Sequence, residues 1–375
     1  MKKGYGIFKI ILLITLISVF SATEIHAEDS DIYTENEIYS AVEGLLTENP
    51  DISDISSAAE AGNIASDALS AKNLLSFTLR RLQQVFSGSF PVLFPIIALI
   101  FLSSVISVFK TDLGSSSRIL EYASVMAVML ITLSAVKPLL ITVSDYLAKF
   151  STFMASVSAT MGLLMSSGGS PSAAAASSSS AAFSIAVTQI LSESAILPCV
   201  KIIIAFSVTG ALSRVLDLSG VINFLRSFCT WGLGVLFAVF GGLHAATVKI
   251  ASGADTLAVR GIRFTAARLI PVAGNMLSES LKTVVSAVGI IKNTLGGLGI
   301  AYILYALIPP VCAIMSVKLV IIIASFCSKL IGSRPHTGFL EGINSALNIL
   351  LAICLFSSVS GILIFAVFMN TAAQV

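Results

Sequence analysis

The chain has 375 residues, of which 56% are hydrophobic and only 11% are charged. Soluble domains carry roughly a quarter of charged residues, so this composition cannot build a water-soluble surface and predicts a membrane protein. The net charge of +2 hides an asymmetry, because twelve of the twenty acidic residues lie between Glu24 and Asp67, whereas from Lys72 onward nineteen basic residues face eight acidic ones. The sequence therefore predicts an acidic head joined to a basic membrane body.

Residues 1–27 have the pattern of a secretory signal peptide. Three lysines precede an apolar run from Ile10 to Phe20, and Ile25-His26-Ala27 offers a small-residue cleavage site. The alternative is a retained first transmembrane helix, but this apolar run is shorter than the roughly 20 residues that a span needs. Either interpretation predicts that the segment which follows is translocated.

Residues 28–88 are expected to form an acidic, extracytoplasmic helical region. Ile38, Val42, Leu45 and Leu46 recur at helical spacing before Asn49-Pro50 interrupts the pattern. Such a stretch buries too little apolar surface for an independent domain. We expect it to contact a partner or the membrane body.

Residues 89–375 form the predicted multi-span membrane domain, which we expect to be all-α with about seven transmembrane helices. The clearest span runs from Phe90 to Phe109, without a charge, and is closed by Lys110. Further candidates are Tyr122–Val143, Phe183–Leu212, Phe228–Val248, Val284–Leu307, Pro310–Leu330 and Ile343–Met369, with Phe150–Met165 as an uncertain one.

A low-complexity Ser/Ala-rich segment occupies residues 166–182. The simpler interpretation is a flexible loop. The alternative is a small-residue segment that enters the membrane body, because Ser and Ala allow helices to approach closely. Further along, Gly234, Ala238 and Gly242 recur every four residues and predict a smooth helix face for packing against another helix or subunit.

The segment 253–299 is a basic, Pro/Gly-punctuated interruption in this apolar chain. On a helix, Arg260, Arg263 and Arg268 would share an arc of about 140°. They are candidates for anchoring to anionic lipid or for docking a cytoplasmic partner. Pro271 and Gly274 then predict a structural corner that ends the helix.

Four polar residues lie within or beside apolar segments and are candidate intramembrane polar groups: Lys201, Lys292, Asn293 and Lys318. An ionisable side chain costs roughly 2.5–3.5 kcal/mol on membrane-insertion scales and so tends to face protein or water. They could line a conduit. The alternative is that the lysines snorkel to an interface or are buried against Glu193, Glu279 or a backbone carbonyl.

Nothing in the sequence predicts an enzyme. Phosphate-loop, HExxH and GxSxG motifs are absent, and His244 and His336 are isolated in the sequence. The five cysteines are scattered, without metal-ligand spacing. We therefore expect no catalytic residue, no metal, no cofactor and no nucleic-acid partner.

The stretch ADTLAVRGIRFTAARLIPVAGNMLSESLKTVVSAVGIIKNTLGGLGI resembles the signature region of the stage III sporulation protein AE family, through VRGIRF, the IPVAG corner and IKNTLG. The resemblance covers about 50 residues closely and most of the chain in layout. It implies an endospore-forming bacterium. It also implies a place in the mother-cell membrane around the forespore, as the membrane core of a secretion-like channel complex that is needed for late forespore gene expression.

The partners implied by this resemblance are a cytoplasmic ATPase, small membrane proteins and ring-forming proteins, beside the lipid bilayer and a possible homo-oligomer. Two other functions remain open from the residues alone. One is a stand-alone small-solute transporter, and the other is a scaffold that conducts nothing. The transporter would move solute when purified alone, whereas the scaffold would tolerate neutralisation of Lys201, Lys292 and Lys318.

Overall fold

The computed structural model describes residues 69–108, 116–167, 171–212, 218–269 and 273–370, and for residues 250–288 it describes the backbone only. In these ranges the chain is helical throughout, apart from a few residues at helix ends, and contains no strand. The expected all-α class is confirmed. The signal peptide and residues 28–68 of the predicted acidic region lie outside the described residues, while residues 71–88 of that region form the first part of a long helix.

Seven α-helices follow one another along the described chain. They are α1 (Ala71–Val108), α2 (Ser116–Ser167), α3 (Pro171–Ile190), α4 (Leu197–Leu212), α5 (Ser219–Leu269), α6 (Ala273–Ile331) and α7 (Arg334–Asn370). A π-helical segment, Leu191–Ile196, joins α3 to α4 without a break. The helices α1 and α2 contain prolines, and α1 bends by 40° where Pro91 follows residue 90.

Five helical stretches of the described chain are long and apolar enough to cross a membrane, or six if the bent α1 counts as one span. They are Tyr122–Ser166, Pro171–Leu212, Ser219–Lys249, Gly289–Ile331 and Arg334–Asn370. The predicted count of seven is therefore not confirmed. Two pairs of predicted spans are continuous helices, since α2 runs through Lys137 and Lys149 and α6 runs through Pro309 and Pro310.

A continuous helix at Pro309-Pro310 has a physical explanation. Proline removes one intrahelical hydrogen bond and crowds the preceding turn, which breaks an isolated helix. In a helix bundle, neighbouring helices hold the two halves in line and the lost bond can be tolerated. The flanking residues Ile303 and Ile314 are fully buried, so α6 is held by packing on both sides of the prolines.

The helices alternate in direction, except that α4 continues α3 through the π-helical segment. The α6–α7 pair is an antiparallel hairpin, because a side chain at Gly296 would meet Met369 and one at Gly361 would meet Ile303. Its turn is closed by Gly332 at φ +76°, a left-handed conformation that glycine adopts without strain. The Gly332 N–H donates to the Lys329 carbonyl and the Ser333 N–H to the Ser328 carbonyl, which is the Schellman pattern.

The α7 helix forms the centre of the bundle. Its buried face includes Phe339, Leu347, Ile353 and Phe365, which are fully enclosed. It contacts α6 along one side. On its other sides, Ser207 of α4 approaches Gly342 and Phe150 of α2 approaches Gly361. The axis of the described bundle is thus filled with side chains.

Candidate functional site

The Ser/Ala-rich segment is the first polar element inside the bundle. Residues 171–182 belong to α3, so the loop interpretation is wrong for this part, while residues 168–170 lie outside the described residues. Small side chains let α3 approach α2 closely, since a side chain at Gly162 would collide with Ser178. The buried face of α3 carries Ser177, Ser180, Ser184 and Thr188, and Ser192 continues it into the π-helical segment.

His244 of α5 lies against this hydroxyl face. It is 3% exposed, with Nδ1 3.0 Å from the Ser180 hydroxyl and Nε2 3.3 Å from the Ser184 hydroxyl. The Ser184 hydroxyl donates to the Ser180 carbonyl at 3.0 Å, so it accepts from the Nε2–H of the imidazole. Ser180 then donates to Nδ1. Neutral His244 with its proton on Nε2 satisfies all three groups.

Hydroxyls further along α3 are satisfied locally. Thr188 donates to the Ser184 carbonyl at 2.7 Å, and Ser192 donates to the Thr188 carbonyl at 2.6 Å. A cavity of about 10 Å³, which is room for roughly one water, lies beside Thr188, Gln189 and Ser192 at the start of the π-helical segment. Buried Ser and Thr that bond to their own helix cost little in an apolar surrounding.

Lys318 and Asn348 form a polar contact between α6 and α7. The Lys318 ammonium donates to the Asn348 carbonyl oxygen at 2.7 Å. Both side chains are partly buried. Because Asn348 is neutral, it orients the ammonium through a charge-assisted hydrogen bond without neutralising it. The lysine is thus held inside the bundle. Its hydrogen-bond partner there is a side-chain amide, whereas the partners considered from the sequence were Glu193, Glu279 and a backbone carbonyl.

Lys292 is the most enclosed cation of the described chain. Its side chain is 2% exposed, and its ammonium has no hydrogen-bond partner among the described residues. It lies on α6 one turn before Gly296, which faces the end of α7 at Met369. Its neighbour Asn293 is exposed, so these two adjacent residues do not form one site.

Lys201 differs from the two lysines of α6. It is exposed on α4 and forms no ion pair with another described residue. The four candidate intramembrane polar groups are therefore not brought together: Lys318 is paired, Lys292 is buried, and Lys201 and Asn293 face outward.

The small-residue face of α5 is not used within the described bundle. Ala238 and Gly242 are exposed, and a side chain added at Gly234 or Gly242 would meet open space. The close approaches occur instead at Gly162, Gly296, Gly299, Gly342 and Gly361. Packing of the α5 face against another subunit stays a prediction.

The arginine cluster and the corner lie at the edge of what the structure describes. Arg260, Arg263 and Arg268 are on α5, with side chains outside the described residues. The helix ends at Leu269 and α6 begins at Ala273, so Pro271 falls in the undescribed connection and Gly274 in the first turn of α6. Their roles stay predictions.

The start of α1 lies beside the middle of α2 and α6. The Phe77 ring of α1 lies 5.0 Å from the Tyr305 ring of α6, and the Phe153 ring of α2 lies 4.2 Å from the neighbouring Tyr302 ring. The sides of the membrane on which the acidic head and the arginine cluster lie stay predictions.

Sequence reasoning missed His244 and its partners. It treated His244 and His336 as isolated, but Ser180 and Ser184 flank the first, and the second has its Nδ1 2.7 Å from the Ser333 hydroxyl. The serine spacing in α3 was the available signal, since positions 177, 180, 184 and 188 share one helix face.

Comparison with known proteins decides the family. The model of the stage III sporulation protein AE family matches residues 54–372. The chain belongs to the stage III sporulation protein AE family. Stage III sporulation protein AE of Bacillus subtilis (strain 168) is 23% identical over 164 residues, which are 44% of this chain and 41% of that protein. The match thus covers less than half of the length of this curated relative. No solved structure matches the chain.

This membership confirms the resemblance stated from the 254–300 stretch. The family name supports a role in sporulation, and the apolar helices fit a membrane protein. The family is a sporulation membrane family and not a known enzyme family. In the described residues, no group of three His, Cys, Asp or Glu side chains is placed to hold a metal ion.

Proposed function

We propose that the protein is the integral membrane component of a channel complex that connects the mother cell to the forespore and is required for endospore formation and late forespore gene expression. The family match over residues 54–372 carries this proposal. The all-helical membrane body is consistent with it. The location in this proposal is the mother-cell membrane around the forespore.

The filled axis of the bundle favours a component of an assembly over a transporter that acts alone. Residues of α7 such as Leu347, Leu350 and Ile353 are 0% exposed along the centre of the described bundle. A passage for a solute would need a lined, open path. In this proposal a conducting path, if it forms, lies between subunits. The partners are a cytoplasmic ATPase, ring-forming proteins and small membrane proteins.

An in-frame deletion in the source organism tests the sporulation role. We expect engulfment to proceed, heat-resistant spores to be lost and late forespore transcription to fail. Complementation with the wild-type chain is the control. Normal spore counts after deletion would contradict the proposal and would bring the stand-alone transporter forward, which is then tested by solute uptake into vesicles that contain the purified chain.

The arginine cluster is tested by charge reversal. Arg260, Arg263 and Arg268 are changed to Glu together, and the matched control changes the same three positions to Lys. Docking through positive charge predicts that the Glu variant loses co-purification of its partners while the Lys variant keeps it. Intact assembly with the Glu variant would contradict docking.

Sidedness is tested with cysteines at opposite ends of the bundle. Ser170→Cys in the α2–α3 connection and Ser333→Cys in the α6–α7 turn are introduced into a chain without the five native cysteines. A translocated head predicts labelling of position 170 from outside by a membrane-impermeant maleimide, and no labelling of position 333. The reverse pattern would place the arginine cluster in the cytoplasm.

A further inference from the structure

Three of the apolar stretches, Tyr122–Ser166, Pro171–Leu212 and Gly289–Ile331, are about twice as long as the hydrocarbon core of a bilayer is thick. Gly289–Ile331 of α6 spans about 64 Å at 1.5 Å per residue. A bilayer has a hydrocarbon core of about 30 Å, or about 40–45 Å with the headgroups. Helices packed side by side at this length cannot all lie inside one hydrocarbon layer.

A belt of charges crosses the outer surface of the bundle near half its length. It consists of Lys137, Asp145, Lys149, Glu193 and Lys201, all of which are exposed. None of the five forms an ion pair with another residue that the structure describes. Exposed charges without a counter-ion require water or lipid headgroups around them.

Contacts between helices place these five residues in one band, which is about 18 Å deep because Lys137 and Lys149 are twelve residues apart on α2. On α2 and α3, the Ser151 hydroxyl lies 3.1 Å from Gln189 Oε1, and Gly162 faces Ser178, so the two helices run antiparallel in fixed register. That register puts Glu193 and Lys201 beside the stretch of α2 between Lys137 and Lys149.

The interior is also polar at this height. The Tyr146 hydroxyl lies 2.6 Å from the Ser358 hydroxyl of α7, and a side chain at Gly361 would meet Phe150. Ser357 and Ser360 are buried beside them. Buried hydroxyls thus lie inside the bundle at the height of the belt, as they also do in the tip half at Ser103, Thr132 and Ser325.

The two halves on either side of the belt have different outer surfaces. The half that ends in the α6–α7 turn, here called the tip half, exposes large apolar side chains on each of its outer helices. They include Phe94 and Phe101 on α1, Ile119, Met126 and Leu130 on α2, Phe224 on α5, and Ile322, Phe326 and Leu330 on α6.

The half that ends in the α2–α3 connection, here called the serine half, exposes mainly small and hydroxyl-bearing residues. They are Thr152, Ala155, Ser156, Ala159 and Thr160 on α2, Ser172, Ala175, Ser179 and Ala182 on α3, and Gly242, Ala245 and Ala246 on α5. Among the described side chains of this half, which exclude those of residues 250–288, the larger exposed apolar ones are Leu163, Phe183, Ile190, Val239 and Ile290.

We infer that the bilayer surrounds the tip half, that the belt lies at its headgroup surface, and that the serine half stands outside the hydrocarbon as a helical extramembrane body. Lengths agree with this assignment. The rise from Ile119 to Lys137 on α2 is about 27 Å, close to the thickness of the hydrocarbon core, and the belt from Lys137 to Lys149 occupies about the next 18 Å of the helix. The lipid surface is the partner of the belt.

Tryptophan depth measurements test this inference, because the chain has one tryptophan, Trp231, which is 70% exposed. In a Trp231→Phe chain, a single tryptophan is placed at Leu130 or at Leu163. These two leucines form a matched pair, since both lie on α2 and are 69% and 74% exposed. Full-length variants are reconstituted into phosphatidylcholine/phosphatidylglycerol vesicles with plain or brominated acyl chains, and circular dichroism verifies equal helix content.

We expect Leu130→Trp to lose more than about half of its emission in brominated lipid, because its ring lies among the acyl chains. Leu163→Trp should be nearly unaffected by bromine and quenched by aqueous iodide. Equal quenching of both by brominated lipid would overturn the inference and embed the whole bundle. Quenching of neither would overturn it as well, because the tip half would then not face lipid.

Discussion

Two hairpins of this bundle are held together by different physical means. Each apolar stretch contains an 18-residue segment of high hydropathy. In Pro171–Leu212, which begins with α3, 28% of that segment is buried, whereas in α7 the corresponding share is 67%. The α6–α7 hairpin interlocks large apolar side chains with glycines, and the α2–α3 hairpin relies on small residues and hydroxyls that reach His244. Within lipid, where the hydrophobic effect between helices is weak, close packing and hydrogen bonding are the two available sources of stability.

The largest effect on stability should come from placing a side chain at a glycine contact of the α6–α7 hairpin. Gly361→Leu would place a side chain where Ile303 and Phe150 already lie, at 2.8 and 2.9 Å from the first added carbon. We expect a loss of about 3 kcal/mol in the free energy of unfolding, because a packed core cannot absorb the added volume. The measurement is denaturant unfolding in detergent micelles, followed by circular dichroism.

The matched control is Gly338→Leu on the same helix, since a side chain there meets nothing within 4 Å. It should be neutral or gain up to about 1 kcal/mol from helix propensity. Equal losses at both positions would mean that glycine is needed for a reason other than close contact.

A smaller loss in the free energy of unfolding is expected when the contact between Lys318 and Asn348 in the α6–α7 hairpin is broken. Asn348→Leu leaves the Lys318 ammonium without its 2.7 Å acceptor. This should lower the free energy of unfolding by about 2 kcal/mol, the range for a hydrogen bond to a charged group.

The double variant Lys318→Met with Asn348→Leu sharpens the result. Removing both partners should recover most of the loss, because no unpaired polar group then remains. If the double variant is no more stable than Asn348→Leu alone, Asn348 acts through its shape and not through the hydrogen bond.

Ser180 of the α2–α3 hairpin and His244 of α5 should show a coupling energy of about 1 kcal/mol, as is typical of buried hydrogen bonds between membrane helices. A double-mutant cycle with His244→Phe and Ser180→Ala measures it. Ser179→Ala serves as the control, because the Ser179 hydroxyl is exposed and donates to the Ala175 carbonyl of its own helix. A coupling near zero would show that the small residues alone hold α3.

The smallest effect should come from the ion pair beside the α6–α7 turn. Lys329 and Glu341 are 2.7 Å apart, but both side chains are 55% exposed. Solvent and salt screen such a pair, so Glu341→Gln should cost at most about 0.5 kcal/mol. Unfolding at low and high ionic strength measures it, and a loss that salt does not change would indicate a contact other than charge.

The sequence predicted the helical class, the membrane character and the family, because composition and apolar length determine the first two and the 254–300 stretch carries the third. It placed the last span well, since Ile343–Met369 falls within α7. Span number was harder, because the predicted spans were divided between Val143 and Phe150, next to Lys149, and at the prolines of α6. Tertiary packing carries the helices through them.

The polar interior was only partly accessible from the sequence. Lys292 and Lys318 were named from the sequence together with Lys201 and Asn293, and the structure encloses only the first two. Asn348 lies on another helix, and nothing local connects it to Lys318. His244 has the same difficulty, because its partners lie 60 and 64 residues away. Such pairings depend on the crossing of helices, and a local pattern does not contain that information.

One contact between α4 and α5 has a further consequence. The thiol of Cys229 points at Cys199, with the two sulfur atoms 3.0 Å apart. Both cysteines are free, and they are close enough for an oxidant to join them covalently. A disulfide formed there by an added oxidant would link α4 to α5 covalently, and a reductant would release it. Whether oxidised protein still supports sporulation would reveal whether α4 and α5 must separate while it works.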